Sequence, residues 1–142
     1  MDNVYENVWI GDIQDVREGD TSRFDRVITV CQDSVEDNVG CSYEWYNMAD
    51  GPHNVYGGDS SYEIFHEAGI SLLGSVTYGE EVLIHCHMGQ SRSASVAIAV
   101  IGVFVGSYEE AYNIVEGARP QIHVEPLLQQ HAKKFIDDSN FP

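Results

Sequence analysis

With 142 residues, 43% of them hydrophobic, the chain suffices for one domain that buries roughly two thirds of the surface its unfolded form exposes, without a disulfide or metal scaffold. Its 23 acidic residues against 7 basic ones give a formal net charge of −16 at pH 7, which argues against nucleic-acid binding through a basic patch. The longest apolar run, around Val96 to Val105, falls short of the ~20 residues of a spanning helix, and the N-terminus has no basic region followed by an apolar core.

Three cysteines, Cys31, Cys41 and Cys86, make an odd count without metal-ligand spacing. The expectation is a reducing, cytoplasmic setting with no membrane partner, no nucleic acid, no metal and no cofactor; oligomeric state is not legible. The acidic residues run from Asp2 to Asp138, mostly between apolar positions, so they coat the surface. Two readings fit that coat. One is an acidic protein without special adaptation; the other, favoured, is adaptation to a cytoplasm of molar salt, where repulsion is screened to within ~3 Å.

In chain order, Val4 to Asp12 alternates imperfectly and ends on Gly11, which predicts one strand anchored by Trp9. Residues 13 to 22 are polar, with room for a short helix. The β-branched run Arg26-Val27-Ile28-Thr29-Val30-Cys31 predicts a buried strand, with Cys31 in the core. Tyr43 to Met48 is a weaker aromatic strand, and residues 49 to 60, broken by Gly51-Pro52 and Gly57-Gly58, form a loop.

Ser60 and Glu63 have capping-box spacing ahead of a helix with Ile64, Phe65, Ala68 and Leu72 on one face. Gly79 closes that region, Glu81 to Ile84 predicts a buried strand, and Ser95 to Val105 a buried helix. Ser107 and Glu110 repeat the capping spacing before a helix that faces Ala111, Ile114 and Val115 inward and ends at Arg119-Pro120. Pro126 then suits the first turn of a last helix with Leu127, Leu128, His131 and Phe135 on one face. Trp9, Trp45 and Phe104 are expected to be packing residues. The fold class is α/β: a central mixed, mostly parallel sheet of about four to five strands with helices on both faces, in a single domain over residues 1 to 142.

In such sheets ligands bind beyond the carboxyl ends of the strands, and there lies His85-Cys86-His87-Met88-Gly89-Gln90-Ser91-Arg92-Ser93. The stretch joins a strand end to a helix start, where unpartnered amides and the positive end of the helix dipole favour an anion. A cysteine placed there ionises readily, and the thiolate is the nucleophilic form. Five residues between Cys86 and Arg92 let the chain curl so that the amides of His87 to Arg92 and the guanidinium fork converge above the sulfur. Gly89 permits the tight backbone at the tip.

These residues resemble the signature His-Cys-x-x-Gly-x-x-Arg-Ser/Thr of the cysteine-dependent protein tyrosine phosphatase superfamily, most closely the small dual-specificity phosphatases; His85, Cys86, Gly89, Arg92 and Ser93 all match. Val8-Trp9-Ile10-Gly11 is similar to that family's first strand, Arg26 to Val30 to its Ile-Thr strand, Met48 to Pro52 to its acid loop, and Arg119 to Ile122 to its Arg-Pro-x-Ile segment. The match fades at Val124-Glu125, where the family often has Pro-Asn.

The resemblance implies attack by Cys86 on phosphorus, a phosphocysteine intermediate, and equatorial oxygens held by Arg92 and the loop amides. Ser93 would assist the departing sulfur and His85 would brace the loop. Asp50 is the expected general acid; its rival Asp59 is better explained as a helix cap. His53 is a candidate substrate contact, and Gln129, Gln130 or His131 a candidate for placing the hydrolytic water. The expected partner is a phosphorylated protein, dephosphorylated at tyrosine, with serine and threonine as further substrates. Two other functions stay open: the same chemistry on a phosphoinositide or an RNA 5′-triphosphate, for which His87, Met88 and Gln90 offer no permanent charge, and a noncatalytic phosphopeptide-binding module.

Overall fold

The computed structural model describes residues 1–52 and 57–139. Five strands form one sheet: β1 (Asp2–Tyr5), β2 (Val8–Gly11), β3 (Arg26–Thr29), β4 (Ser42–Trp45) and β5 (Val82–His85), in the order β1-β2-β5-β3-β4. The β1–β2 pair is antiparallel and the others are parallel, so the sheet is mixed and mostly parallel. The single first strand expected from the sequence is a hairpin instead. Glu6, at φ 47°, turns the chain between two four-residue strands.

The described residues also form five α-helices: α1 (Ile13–Glu18), α2 (Tyr62–Thr77), α3 (Arg92–Val105), α4 (Tyr108–Ala118) and α5 (Pro126–Ser139). Strand residues alternate between two cores. Val8, Ile10, Ile28, Val82 and Ile84 face the large core shared with α2 to α5, whereas Val27 and Leu83 face a smaller one with Ile13 and Val16 of α1. α3 is buried along Arg92 to Gly102 because the sheet and helices surround it, which explains its near absence of polar residues. Phe135 and Ile136 of α5 rest on Gly69 and Gly102, where no Cβ intervenes.

Capping places the helix starts. Asp12 and Asp15 form a reciprocal capping box on α1, and Ser107 accepts from Glu110 N at α4. At α2 the cap is Ser61, accepting from Ile64 N, one residue later than the Ser60–Glu63 spacing predicts. Trp45 and Phe104, expected inside, are each 46% exposed; Trp45 spends its indole N–H on the Cys31 carbonyl, and Phe104 stacks on Tyr5. Among the described residues no helix is long and apolar enough to cross a membrane.

The topology fixes where the site must be. β5 is central, and its last residue, His85, pairs with Gly11 of β2 on one side and Thr29 of β3 on the other. The chain leaves the sheet there and returns as α3 at Arg92.

Candidate active site

The partners of its carbonyls hold the loop in shape. His85 O accepts from Val30 N (3.0 Å), His87 O from Ile13 N (3.0 Å), Gln90 O from His123 N (2.8 Å) and Ser91 O from Ser95 N (2.8 Å). The buried Arg119 takes the next two, with Nη2 on Met88 O (3.2 Å) and Nε on Gly89 O (2.7 Å), while its Nη1 meets Asp2 (2.7 Å). Cys86 O accepts from His85 Nδ1 at 3.1 Å. Apart from His123, which also borders the cavity beside Cys86, none of these donor residues lines that cavity. In a trans peptide the N–H points opposite to the C=O, so the amides of His87 to Arg92 face inward, and no cis bond occurs among the described residues. The result is a ring of donors with no internal acceptor, an arrangement that suits an anion.

Gly89 is required at the tip. Its φ is +67°, and a Cβ there would lie 2.5 Å from both Arg119 Nη2 and Gly11 O.

Cys86, 2% exposed, sits at the floor of a cavity of about 140 Å³, with Asp50, Arg92, Gln90, Met88 and His123 around it. Its sulfur lies 3.2 Å from the Ser93 hydroxyl. Arg92 Nη1 donates to Gln32 Oε1 (2.7 Å) and to the Met48 carbonyl (3.2 Å), so the guanidinium is oriented by neutral acceptors and keeps its charge for a ligand. Met48 precedes Ala49-Asp50, so the same contact ties the Asp50 segment to the arginine. Cys31, by contrast, is fully buried and burial pushes its thiol up, which leaves it protonated.

The structure brings Asp50, Cys86, Met88, Gln90, Ser91 and Arg92 together around one cavity. Asp59 is elsewhere: its carboxylate accepts from Ser61 N at the head of α2, and its backbone pairs with Asn47 and Ala49. Gln129 donates to the Val124 carbonyl and His131 contacts the Ser60 carbonyl, and neither they nor Gln130 line the cavity. The His87 side chain does not line the cavity; its buried Nε2 is 2.9 Å from Asp33 Oδ2, which leaves the amide as its route to a ligand there. His53 lies outside the described residues.

Sequence reasoning missed Gln32, His123 and the bracing role of Arg119. Gln32 is an unremarkable polar residue after a strand, and only the fold brings it to Arg92. The Arg119 segment carried a signal in its resemblance to an Arg-Pro-x-Ile motif, though not the contacts behind it. A larger hollow of about 670 Å³ opens between β4 and α2, but Glu44, Glu67 and Glu80 line it and Arg26 is already paired with two of them, so it does not suit an anion. Among the described residues no cluster of three or more His, Cys, Asp or Glu side chains suits a metal.

The family model of the dual specificity phosphatase catalytic domain matches residues 23–136. Protein 123R of Invertebrate iridescent virus 6, named as a tyrosine phosphatase, is 28% identical over 117 residues, covering 82% of this chain and 78% of its own. Human DUSP28 superposes with a TM-score of 0.81 at 18% identity, over 97% of this chain and 96% of that one. PTPMT1, solved in complex with PI(5)P, gives a TM-score of 0.71 at 20% identity over 96% and 94%. At such identities the two solved structures show a shared fold.

Proposed function

From the premise that the chain belongs to the dual-specificity phosphatase catalytic-domain family and is a cysteine-dependent protein phosphatase, we propose that it hydrolyses phosphotyrosine, and phosphoserine or phosphothreonine, on protein substrates through a phosphocysteine at Cys86. One observation carries the assignment of residues: the Cys86 sulfur lies under a ring of inward amides with Arg92 and Asp50 on the same small cavity.

The Cys86 thiolate attacks phosphorus, forming the S–P bond as the ester O–P bond breaks. Asp50 in its acid form gives its proton to the departing oxygen. Arg92 and the amides of His87 to Arg92 hold the three equatorial oxygens, where charge spreads in the transition state. In the second step the Asp50 carboxylate takes a proton from water, the water oxygen bonds to phosphorus, and the S–P bond breaks. The Ser93 hydroxyl donates to the thiolate as it leaves.

The chain acts in this reading as one catalytic domain in a cytoplasm of high salt. A phosphoinositide or a 5′-triphosphate would need further cations, and among the described residues Arg92 is the one permanent side-chain cation lining the cavity. A mere phosphopeptide-binding role leaves the meeting of thiol, acid and hydroxyl without use.

Hydrolysis of a small aryl phosphate and of a phosphotyrosyl peptide by the parent, Cys86→Ser, Asp50→Asn and Asp59→Asn tests this. Cys86→Ser is expected to abolish turnover. Asp50→Asn should lose roughly 10²- to 10⁴-fold on substrates with poor leaving groups. Full turnover in Cys86→Ser would sink the mechanism, and loss in Asp59→Asn instead of Asp50→Asn would move the acid.

A further inference from the structure

Six of the seven loop carbonyls from His85 to Ser91 are held by backbone amides or by a guanidinium, donors with no alternative state. The exception is the carbonyl of the nucleophile itself. It depends on His85 Nδ1, and a neutral imidazole offers a proton there in one tautomer and a lone pair in the other. Because the Cys86 carbonyl and the His87 amide share one peptide plane, the direction of the His87 N–H hangs on which tautomer is present.

The surroundings of His85 decide it. The ring is fully buried, and burial takes its pKa down to about 4, against the hydrogen bond to the Cys86 backbone, with the assistance of His87 and against the smaller fields of Asp12 and Asp15 at the head of α1. It is therefore neutral at pH 7. A carbonyl only accepts, so the contact with Cys86 O places the proton on Nδ1 and leaves Nε2 bare. Nε2 lies 2.6 Å from Thr29 Oγ1, so the threonine hydroxyl donates to it. The Thr29 oxygen in turn accepts from the Tyr43 phenol at 2.8 Å, and the phenol oxygen accepts from Val35 N at 3.0 Å.

Each link admits one direction, from Val35 N–H through Tyr43 O–H, Thr29 O–H and His85 Nδ1–H to the Cys86 carbonyl. The β-register makes this possible: Thr29 is opposite His85, and Tyr43 is opposite Val27, two residues before Thr29 on the same face. The loop that this chain reaches also carries Gln32, on Arg92, and Asp33, beside His87.

We propose that Thr29 and Tyr43 are positioning residues for catalysis, fixing and polarising the Nδ1–H tautomer of His85 so that the Cys86 carbonyl stays turned away and the His87 amide stays turned toward the phosphate. A hydroxyl bonded to Nε2 makes Nδ1–H the stronger donor, and the Tyr43 bond strengthens that hydroxyl in the same sense. The other groups facing the Cys86 sulfur, namely Arg92, Asp50, His123, Ser93 and the protonated Cys31, are unaltered by the relay.

The proposal rests on Cys86 as the nucleophile, and its test does not need the substrate to be right. Iodoacetamide alkylation of Cys86, followed at that peptide by mass spectrometry across pH, reads the thiolate directly; kcat/KM for an aryl phosphate across pH reads its use. Thr29→Val is expected to move the alkylation midpoint upward and to lower kcat/KM on the acid side by about five- to tenfold, the scale of one hydrogen bond. Thr29→Ser should restore both. Tyr43→Phe should show a smaller shift of the same sign in the parent and none in the Thr29→Val background. His85→Asn supplies an amide donor to the Cys86 carbonyl without tautomers, so Thr29→Val should have no effect on top of it.

Unchanged alkylation in both Thr29→Val and Tyr43→Phe overturns the proposal. So does a Thr29→Ser variant as impaired as Thr29→Val, or a Thr29 effect that persists undiminished in His85→Asn. Should Thr29→Val fail to fold, Tyr43→Phe and Thr29→Ser decide alone. An inactive parent with a normal relay response would instead refute the phosphatase reading and leave the relay standing.

Discussion

The sulfur of Cys86 and the hydroxyl oxygen of Ser93 are 3.2 Å apart, both inside the protein, at the floor of the loop and the first turn of α3. A thiolate can only accept, so in the reactive form the Ser93 proton points at sulfur. That bond matters most when the sulfur leaves as an anion. Ser93→Ala should therefore slow breakdown of the phosphocysteine more than its formation, by about 10- to 100-fold given ~1.5–3 kcal/mol for a bond to a charged group. Rapid-quench measurement should show a burst of aryl alcohol followed by slow turnover; a fall without a burst would place the loss in the first step.

Arg92 is aimed by a neutral partner, Gln32, at 2.7 Å. Gln32→Leu removes the aim and keeps the charge, whereas Gln32→Glu keeps the aim and pairs the charge with a carboxylate. Both should weaken inhibition by orthophosphate, Gln32→Leu by about tenfold and Gln32→Glu by more, because a half-buried carboxylate competes with the ligand for the guanidinium. An inhibition constant unmoved in Gln32→Leu would show that the Met48 carbonyl suffices.

What could be read from the sequence follows from how local each cause is. His85 to Ser93 was legible as a candidate site because one continuous stretch supplies the thiol, the guanidinium and the strand-to-helix junction. The buried strands β3 and β5 announced themselves by β-branched and apolar runs, and α4 by its Ser107 cap. The turn at Glu6 was hidden because a non-glycine residue adopts the left-handed backbone there. The cap at Ser61 was displaced because Ser60 and Ser61 are both competent, and the Asp59 carboxylate is spent on Ser61 N, fixing the frame from outside the helix. Thr29 and Tyr43 act across strands, through register that no local pattern encodes, and Gln32 reaches Arg92 from a loop 60 positions away.

A net charge of −16 opposes both compaction and the approach of a phosphate dianion, and salt relieves each. The Debye length falls from about 30 Å at 0.01 M to about 3 Å at 1 M, so over that range of KCl the melting temperature and kcat/KM for an aryl phosphate should both rise. Chloride is the suitable anion, since sulfate would also compete for the amide ring. A flat response of both quantities would leave the acidic coat without a link to high salt.

His85 predicts a pH dependence of stability with a definite sign. Burial lowers its pKa from 6.5 to about 4, so between these values the unfolded chain binds a proton that the folded one refuses. Stability therefore falls as pH drops through about 6.5, and the loss is complete near pH 4, amounting to about 3 kcal/mol. Carboxylates such as Glu44, held low by hydrogen bonds from Ser71, Tyr46 and Arg26 that outweigh burial, also lose stability in acid, and in the same direction. The histidine's share is isolated by comparing urea unfolding of the parent and His85→Asn at fixed high salt from pH 7 to 4. The variant should start less stable or equal and lose less, its acid midpoint lying lower relative to its neutral stability; two parallel curves would mean that the imidazole already binds its proton in the folded state.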